Sequence, residues 1–555
     1  MESQALTPYL FVSPQILPSD MAAVAQAGFK AVICNRPDGE AADQPTFKEI
    51  EAAALQHGLQ AQYLPAETGK VSDKDAMEFG QLLHTLPGPV LAYCRTGMRS
   101  TTMWALSQAS SMAVPQILQV CKNAGFDLKP LVQRMANGGK SPSRPDHVSH
   151  DVVIVGGGAA GVAVAASLLA RQPQLDIAII DPADVHCYQP GWTMVGGGVF
   201  KPGQTVRTMA SVMPAGVHWI KAGVLAFEPD SERVVLESGR WVTYKQLVVC
   251  PGLKLDWQAI EGLSETLGCN GVTSNYRFDL APYTWELVRQ LKGGKALFTQ
   301  PPMPIKCAGA PQKAMYLSAD HWLRAGALKH IDIQFCNAGA VLFGVADYVP
   351  ALMAYVKKYG IGLNFGETLV AVDGPARQAT FVKSLADGRK EKVVRDFDMI
   401  HVVPPQKAPD FVRVSPLADA AGWLDVDPFS LQHKTYPNVF ALGDVANTSN
   451  AKTAAAVRKQ APVVAHNLLV AMGHLKGQAR YDGYGSCPLT VERGKIVLAE
   501  FAYGGKLAPS FPTWLLDGTQ ASAMAWYLKE RLLPPLYWHA MLKGREWMAQ
   551  PELAN

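Results

Sequence analysis

The chain has 555 residues, 48% of them hydrophobic and 18% charged, so it is globular, not disordered, and long enough for several domain cores. A net charge of only +4 gives no basis for nucleic acid as a partner. Nine cysteines form no disulfide framework and point to reduced thiols in a cytosolic compartment.

The start, Met1-Glu2-Ser3-Gln4, lacks the basic and apolar regions of a secretory signal. Apolar runs at 31–35 and 90–93 predict buried parallel strands; 46–57 and the stretch after Ser100 predict helices. This pattern is a small α/β layer fold spanning 1–136. Between its second strand signal and the following helix lies Tyr93-Cys94-Arg95-Thr96-Gly97-Met98-Arg99-Ser100. Inward-pointing N–H groups at a helix start hold an anion and favour a thiolate. Cys94 is therefore a candidate nucleophile and sulfur carrier, with Arg95 and Arg99 stabilising the anion. Asp38 reads equally as an acid, an Arg partner or a turn former.

Gly, Ser and Pro at 137–150 predict a linker. The next unit, 151–510, opens with an apolar strand, then Gly156-Gly157-Gly158-Ala159-Ala160-Gly161 and an Ala-rich helix, then a strand ending in Asp181. This is a dinucleotide fingerprint in its full context. Gly156 allows the turn, Gly158 admits the pyrophosphate, Gly161 lets helix and strand pack, and Asp181 accepts from ribose hydroxyls. Further strand signals fall at 295–298 and 439–442. The turn after 298 carries Pro304-Ile305-Lys306-Cys307-Ala308-Gly309-Ala310-Pro311-Gln312-Lys313, which presents Cys307 as a candidate redox thiol. From Phe511 onward, Trp, Tyr, Leu and Pro interleave with Lys and Arg. That composition suits either a membrane interface or a helix pair packed on the core or across a dimer. No metal is expected, and no apolar run is long enough to span a bilayer.

Several strings carry resemblances. Residues 247–252, ending in Gly252, and 439–444, ending in Gly443-Asp444, resemble the cofactor strand and second FAD signature of flavoprotein reductases. Residues 186–196, 304–313, 418–423, 452–456 (beginning at Lys452), 481–489 and 536–538 resemble type II, mitochondrial-type sulfide:quinone oxidoreductases over about 150–545. The resemblance implies FAD as cofactor, held by Gly156, Gly158, Gly161, Asp181, Gly252, Gly443, Asp444 and Lys452. It implies sulfide oxidation at Cys307, electrons to quinone, and a monotopic membrane contact by 511–555. It also implies a second redox cysteine directly after Gly443-Asp444, where this chain has Val445. Cys250, Cys336 and Cys487 are the other thiols considered, and Cys487 is expected to pack rather than react.

Asn35-Arg36-Pro37-Asp38-Gly39-Glu40 and the overall order over about residues 5–115 resemble the beta-lactamase-hydrolase-like, phosphatase-like family. The spacing Cys-x4-Arg is similar to a rhodanese loop, one residue shorter than the phosphatase Cys-x5-Arg.

The resulting expectation is an α/β chain: a phosphatase-like domain, then a Rossmann-type flavoprotein with two dinucleotide-binding domains, then an aromatic amphipathic tail. The expected enzyme oxidises sulfide through FAD to quinone. It passes sulfane sulfur to a small thiol or sulfite, or to Cys94, and sits peripherally on the cytoplasmic side of a membrane, with a homodimer left open. The alternatives are an NAD(P)H:quinone oxidoreductase, disfavoured because 300–304 lacks a glycine loop, and a redox or sulfide sensor with a cysteine-phosphatase output.

Overall fold

A computed structural model describes residues 3–136, 138–139, 148–385 and 387–553. The chain forms two compact units, Met1–Val148 with Val235–Trp241, and Ser149–Val234 with Val242–Asn555. Most of the predicted 137–150 linker lies outside the described residues. Its end is corrected: a strand already runs Val148–Val155, with His150 buried between the less buried Ser149 and Asp151 and the apolar run Val152–Val155 buried throughout.

In the first unit a five-stranded sheet has the order Gln4–Thr7, Leu10–Ser13, Val90–Tyr93, Ala31–Cys34, Gln60–Tyr63. The first pair is antiparallel and the rest are parallel. The fully apolar strands Ala31–Cys34 and Val90–Tyr93 are buried along their whole length, as central parallel strands must be. The helix predicted over 46–57 is Phe47–Gln56, started by a Thr46/Glu49 capping box. The helix predicted after Ser100 begins earlier, at Met98.

The second unit holds two parallel-rich sheets. In the first, Val217–Ile220, Ile177–Ile180, Val148–Val155 and Trp241–Val249 are neighbours, and Val439–Ala441 pairs parallel with the last. The helices Ala159–Arg171 and Ala454–Ala471 pack on it, with Val162, Val164, Leu168, Val464 and Leu468 in one core. The second sheet is parallel throughout: Val272–Thr273, Met399–His401, Gly294–Gln300, Ile331–Asn337, Gly362–Phe365. A hairpin, Gly485–Glu492 and Lys495–Phe501, packs against the helix Ala310–Arg324 through Cys487, Leu489 and Val497.

The tail is not a separate appendage. Tyr537, Trp538, Met541 and Leu542 belong to the same core as the Ala159–Arg171 helix, and the Arg171 guanidinium grips Glu546 at 2.6 and 2.8 Å. Among the described residues no helix is long and apolar enough to cross a membrane.

Candidate functional site

The loops that leave the strand ends of the second unit surround one cavity of about 890 Å³. Gly156, Gly158, Asp181, Gly252, Cys307, Gly443, Asp444 and Lys452 all line it. Gly156 has φ 107°, and a Cβ there would meet the Cys250 carbonyl oxygen at 2.5 Å. Gly161 is not on the wall. A Cβ on it would fall 1.9 Å from the Gly156 oxygen, so it serves the contact of helix and strand. A Cβ on Gly158 would meet nothing within 4 Å; the backbone there is open to an incoming group. Asp181 ties the loop together, accepting from Gly157 N–H at 2.6 Å and Ala183 N–H at 2.8 Å.

The wall also carries polar atoms with no hydrogen-bond partner: Trp192 Nε1, Thr193 Oγ1 and both side-chain atoms of Asn275. Buried polar atoms are rarely left unpaired. Their convergence with an open glycine loop fits a large polar ligand of the dinucleotide kind. Sequence reasoning missed Asn275; no motif marks it, and only its place on the wall identifies it.

Lys452 extends its Nζ to the carbonyls of Asp444 (2.8 Å) and Ala446 (2.7 Å) and lies over the Trp423 ring. It fixes the second signature loop while lining the cavity. Burial brings its pKa down to about 8 and pushes the Asp444 carboxyl up.

Cys307 sits in a left-handed turn, φ 49°, directly before the helix Ala310–Arg324. Its N–H donates to the Lys452 carbonyl at 2.9 Å, which locks the turn to the cofactor loop. One helical turn on, Lys313 is buried and donates its Nζ to Cys307 Sγ at 3.1 Å. Cys487, from the hairpin strand, hydrogen-bonds the same sulfur. That bond, with Lys313 and Lys529, holds the Cys307 thiol well below the ordinary thiol range against the effect of burial. The Cys487 thiol is driven well above it, first by the bond to Cys307 and then by burial. A thiolate–thiol pair therefore stands at the cavity wall, with Cys307 on the cavity side.

Cys487 packs in the core as expected, and its thiol also meets Cys307; position 445 does not. Val445 is fully buried and is not among the lining residues; the thiol facing Cys307 arrives from sequence 180 residues away, on the strand Gly485–Glu492. Cys250 lines the cavity but burial raises its pKa strongly, and Cys336 is packed in another core and pushed up to about 12. The tail supplies Lys529 from a π-helical turn, Leu528–Leu532. Burial, with Lys313 adding to it, brings its pKa down to about 7. It also supplies Tyr537, whose hydroxyl meets His186 Nε2 at 2.6 Å while His186 Nδ1 meets the Gly157 carbonyl at 3.1 Å.

In the first unit Cys94 is buried at the end of the central strand Val90–Tyr93, and its Sγ accepts the Gly97 N–H at 3.1 Å. Gly97 has φ 88°, which turns that N–H inward. Arg99 is buried and held bidentately by Glu40 at 2.9 and 2.8 Å, with the Ala66 carbonyl at 2.7 Å. It also reaches the Cys94 sulfur. Arg36 braces the same Glu40. Arg95 is exposed, so the two arginines predicted to act alike do not sit alike. Asp38 accepts the Phe47 N–H at 2.8 Å and serves the loop's own structure.

Fold and site together define a flavoprotein of the two-dinucleotide-domain class, preceded by a cysteine-loop α/β unit. Residues 150–289 match the family described as pyridine nucleotide-disulphide oxidoreductase, and residues 2–111 match the beta-lactamase hydrolase-like protein, phosphatase-like domain. The chain is 41% identical over 407 residues to the mitochondrial sulfide:quinone oxidoreductase of Dictyostelium discoideum, covering 73% of this chain and 88% of that one. With the mouse mitochondrial sulfide:quinone oxidoreductase the identity is 38% over 395 residues, covering 71% and 87%. The solved sulfide:quinone oxidoreductase of Aquifex aeolicus shares the fold, with a TM-score of 0.60 at 18% identity over 74% of this chain and 97% of that one. The chain belongs to the sulfide:quinone oxidoreductase family.

Proposed function

We propose that the second unit oxidises sulfide to sulfane sulfur at the Cys307–Cys487 pair and delivers the electrons to quinone. The observation that carries this reading is the thiolate–thiol pair, charged by Lys313 at 3.1 Å, on the wall of the cavity that the dinucleotide loops form. FAD, which members of this class bind, supplies the two-electron relay between the thiols and quinone.

The work of the chain's own groups follows from their unequal acidities. In the disulfide form of the pair, HS⁻ attacks one sulfur and the other leaves as thiolate. The more acidic thiol leaves faster, so Cys307 departs and Cys487 gains the sulfane sulfur as a persulfide. This reverses the expectation that sulfide attacks Cys307. The S–S bond of the pair breaks, a new S–S bond forms on Cys487, and the two sulfide electrons now reside on the cysteines. A small thiolate or sulfite takes the outer sulfur, leaving two reduced cysteines. Closing these to the disulfide again releases two electrons and two protons. Lys313 stabilises the departing thiolate, and Lys529, near neutrality in its pKa, adds positive charge for the anionic substrate.

Anaerobic addition of sulfide should bleach the flavin of the wild-type protein. Cys307→Ser and Cys487→Ser should retain flavin and lose the bleaching. Unchanged bleaching in Cys487→Ser would remove the pair from the mechanism.

The tail binds the protein peripherally to a membrane through Trp514, Tyr527, Leu532 and Trp547, which are 48–84% exposed. We place the protein on the cytoplasmic side, where its nine free thiols persist. The first unit carries sulfane sulfur on Cys94. The short Cys-x4-Arg ring and a structural rather than catalytic Asp38 support a persulfide over a phosphate ester. The phosphatase-like match favours a second reading of that unit, phosphate ester hydrolysis at Cys94.

A further inference from the structure

At the strand edge opposite the cofactor loops, three side chains converge that the sulfide chemistry does not use. His150 lies near the start of the strand Val148–Val155, Asp176 immediately precedes Ile177–Ile180, and His218 lies in Val217–Ile220. These three strands are neighbours in the sheet, so their first residues stand side by side. His150 Nδ1 is 2.9 Å and His218 Nε2 is 3.6 Å from the same Asp176 Oδ1. One ligand atom from each residue falls within 4.8 Å of the others.

We propose that His150, Asp176 and His218 form a binding site for one divalent ion of the Zn²⁺ class. Ligands about 2.0–2.1 Å from a tetrahedral ion lie about 3.3 Å apart. The observed 2.9 and 3.6 Å to Asp176 Oδ1 bracket that spacing, and the two imidazole nitrogens lie within 4.8 Å of each other. Two imidazoles and a carboxylate are a donor set for borderline ions such as Zn²⁺ rather than for Mg²⁺ or Ca²⁺. His150 is 93% buried by its 7% exposure, and its Nε2 has no hydrogen-bond partner. The ring faces the site with Nδ1, whose partner is the Asp176 carboxylate, and lies 5.2 Å from the His218 ring. His218 is 66% exposed in its side chain, which gives the ion a route in and leaves water to complete the coordination.

On binding, the ion takes the place of the proton between His150 Nδ1 and the carboxylate, and the neutral ring then carries its proton on Nε2. No redox step is involved. The site is six residues along the strand from Gly156, about 20 Å away, so its role is to tie three strand starts together and not to meet the substrate. A ligand bound only by the folded state raises its stability by mass action.

The test uses the flavin-loaded full chain, stripped with chelator and equilibrated with micromolar Zn²⁺. Wild type should hold one Zn²⁺ per chain, with a zinc X-ray absorption spectrum showing nitrogen and oxygen neighbours. His218→Ala, at an exposed position, and Asp176→Asn should each weaken binding at least about tenfold, with flavin content and sulfide turnover retained. Zinc should raise the thermal midpoint of wild type and leave that of His218→Ala unmoved. Equal zinc in wild type and His218→Ala, sulfur in the first shell, or no binding by wild type would each overturn the assignment and leave a hydrogen-bonded imidazole–carboxylate cluster.

Discussion

Lys313→Met isolates the charge that makes Cys307 reactive. The change keeps an unbranched side chain, one atom shorter, and removes an ammonium held 3.1 Å from Cys307 Sγ. Lys313 is 3% exposed, so water does not screen the pair. A hydrogen bond to a charged group contributes about 1.5–3 kcal/mol, and about 1.4 kcal/mol is a tenfold change in an equilibrium. The thiol–thiolate equilibrium of Cys307 should therefore move toward the thiol by roughly one to two orders of magnitude. The sign is fixed: losing a cation disfavours the anion, so the pH at which the thiolate forms moves upward. The assay is the pH dependence of Cys307 alkylation by iodoacetamide, read by mass spectrometry on the tryptic peptide. Cys487 and Lys529 remain in place, so the inflection should shift without disappearing. Flavin content controls for misfolding. An inflection at the same pH in wild type and Lys313→Met would refute the argument that Lys313 sets the thiolate.

His401 is buried and held neutral, accepting the Asn275 N–H at 2.9 Å, and burial brings its pKa down to about 4. Unfolded, it binds a proton below about 6.5, so stability should fall by roughly 3 kcal/mol as pH drops from above 6.5 to 4. Urea melts across that window check this, and His401→Gln should flatten the slope. Gly161→Ala should yield protein with little bound FAD, since its Cβ would lie 1.9 Å from the Gly156 oxygen; normal flavin content would refute the close packing. Replacing Trp514, Tyr527 and Trp547 together by Ser should reduce sedimentation with liposomes while flavin is retained, whereas Glu546→Gln should loosen the tail by cutting its Arg171 grip. For the first unit, Cys94→Ala should abolish sulfur transfer from a persulfide donor to cyanide, and mass spectrometry should find added sulfur on Cys94 in the wild type. Robust phosphatase turnover without that adduct would favour the second reading.

The dinucleotide loop was legible in the sequence because its physics is local. A strand, three glycines at fixed offsets and a helix start form within thirty residues, and each glycine has a steric reason that the structure repeats at Gly156 and Gly161. The Cys307 turn was legible for the same reason, since Pro, Gly and Ala act on their own neighbourhood. The N-terminal loop at Cys94 followed likewise from strand, Gly97 and helix in order. What the sequence left undecided were the encounters between distant segments. The family resemblance implies a second thiol directly after Gly443-Asp444, where this chain has Val445, and that side chain is buried off the cavity wall. Cys487 was expected to pack because it lies in a string shared with the family. Only the packing of the hairpin on the Ala310–Arg324 helix brings it to Cys307. The tail's composition left a membrane interface and packing on the core both open; the fold brings Lys529 and Tyr537 to the cavity wall and pairs Glu546 with Arg171. Contacts of that kind depend on which faces the whole chain can bury, and no window of local residues carries that information.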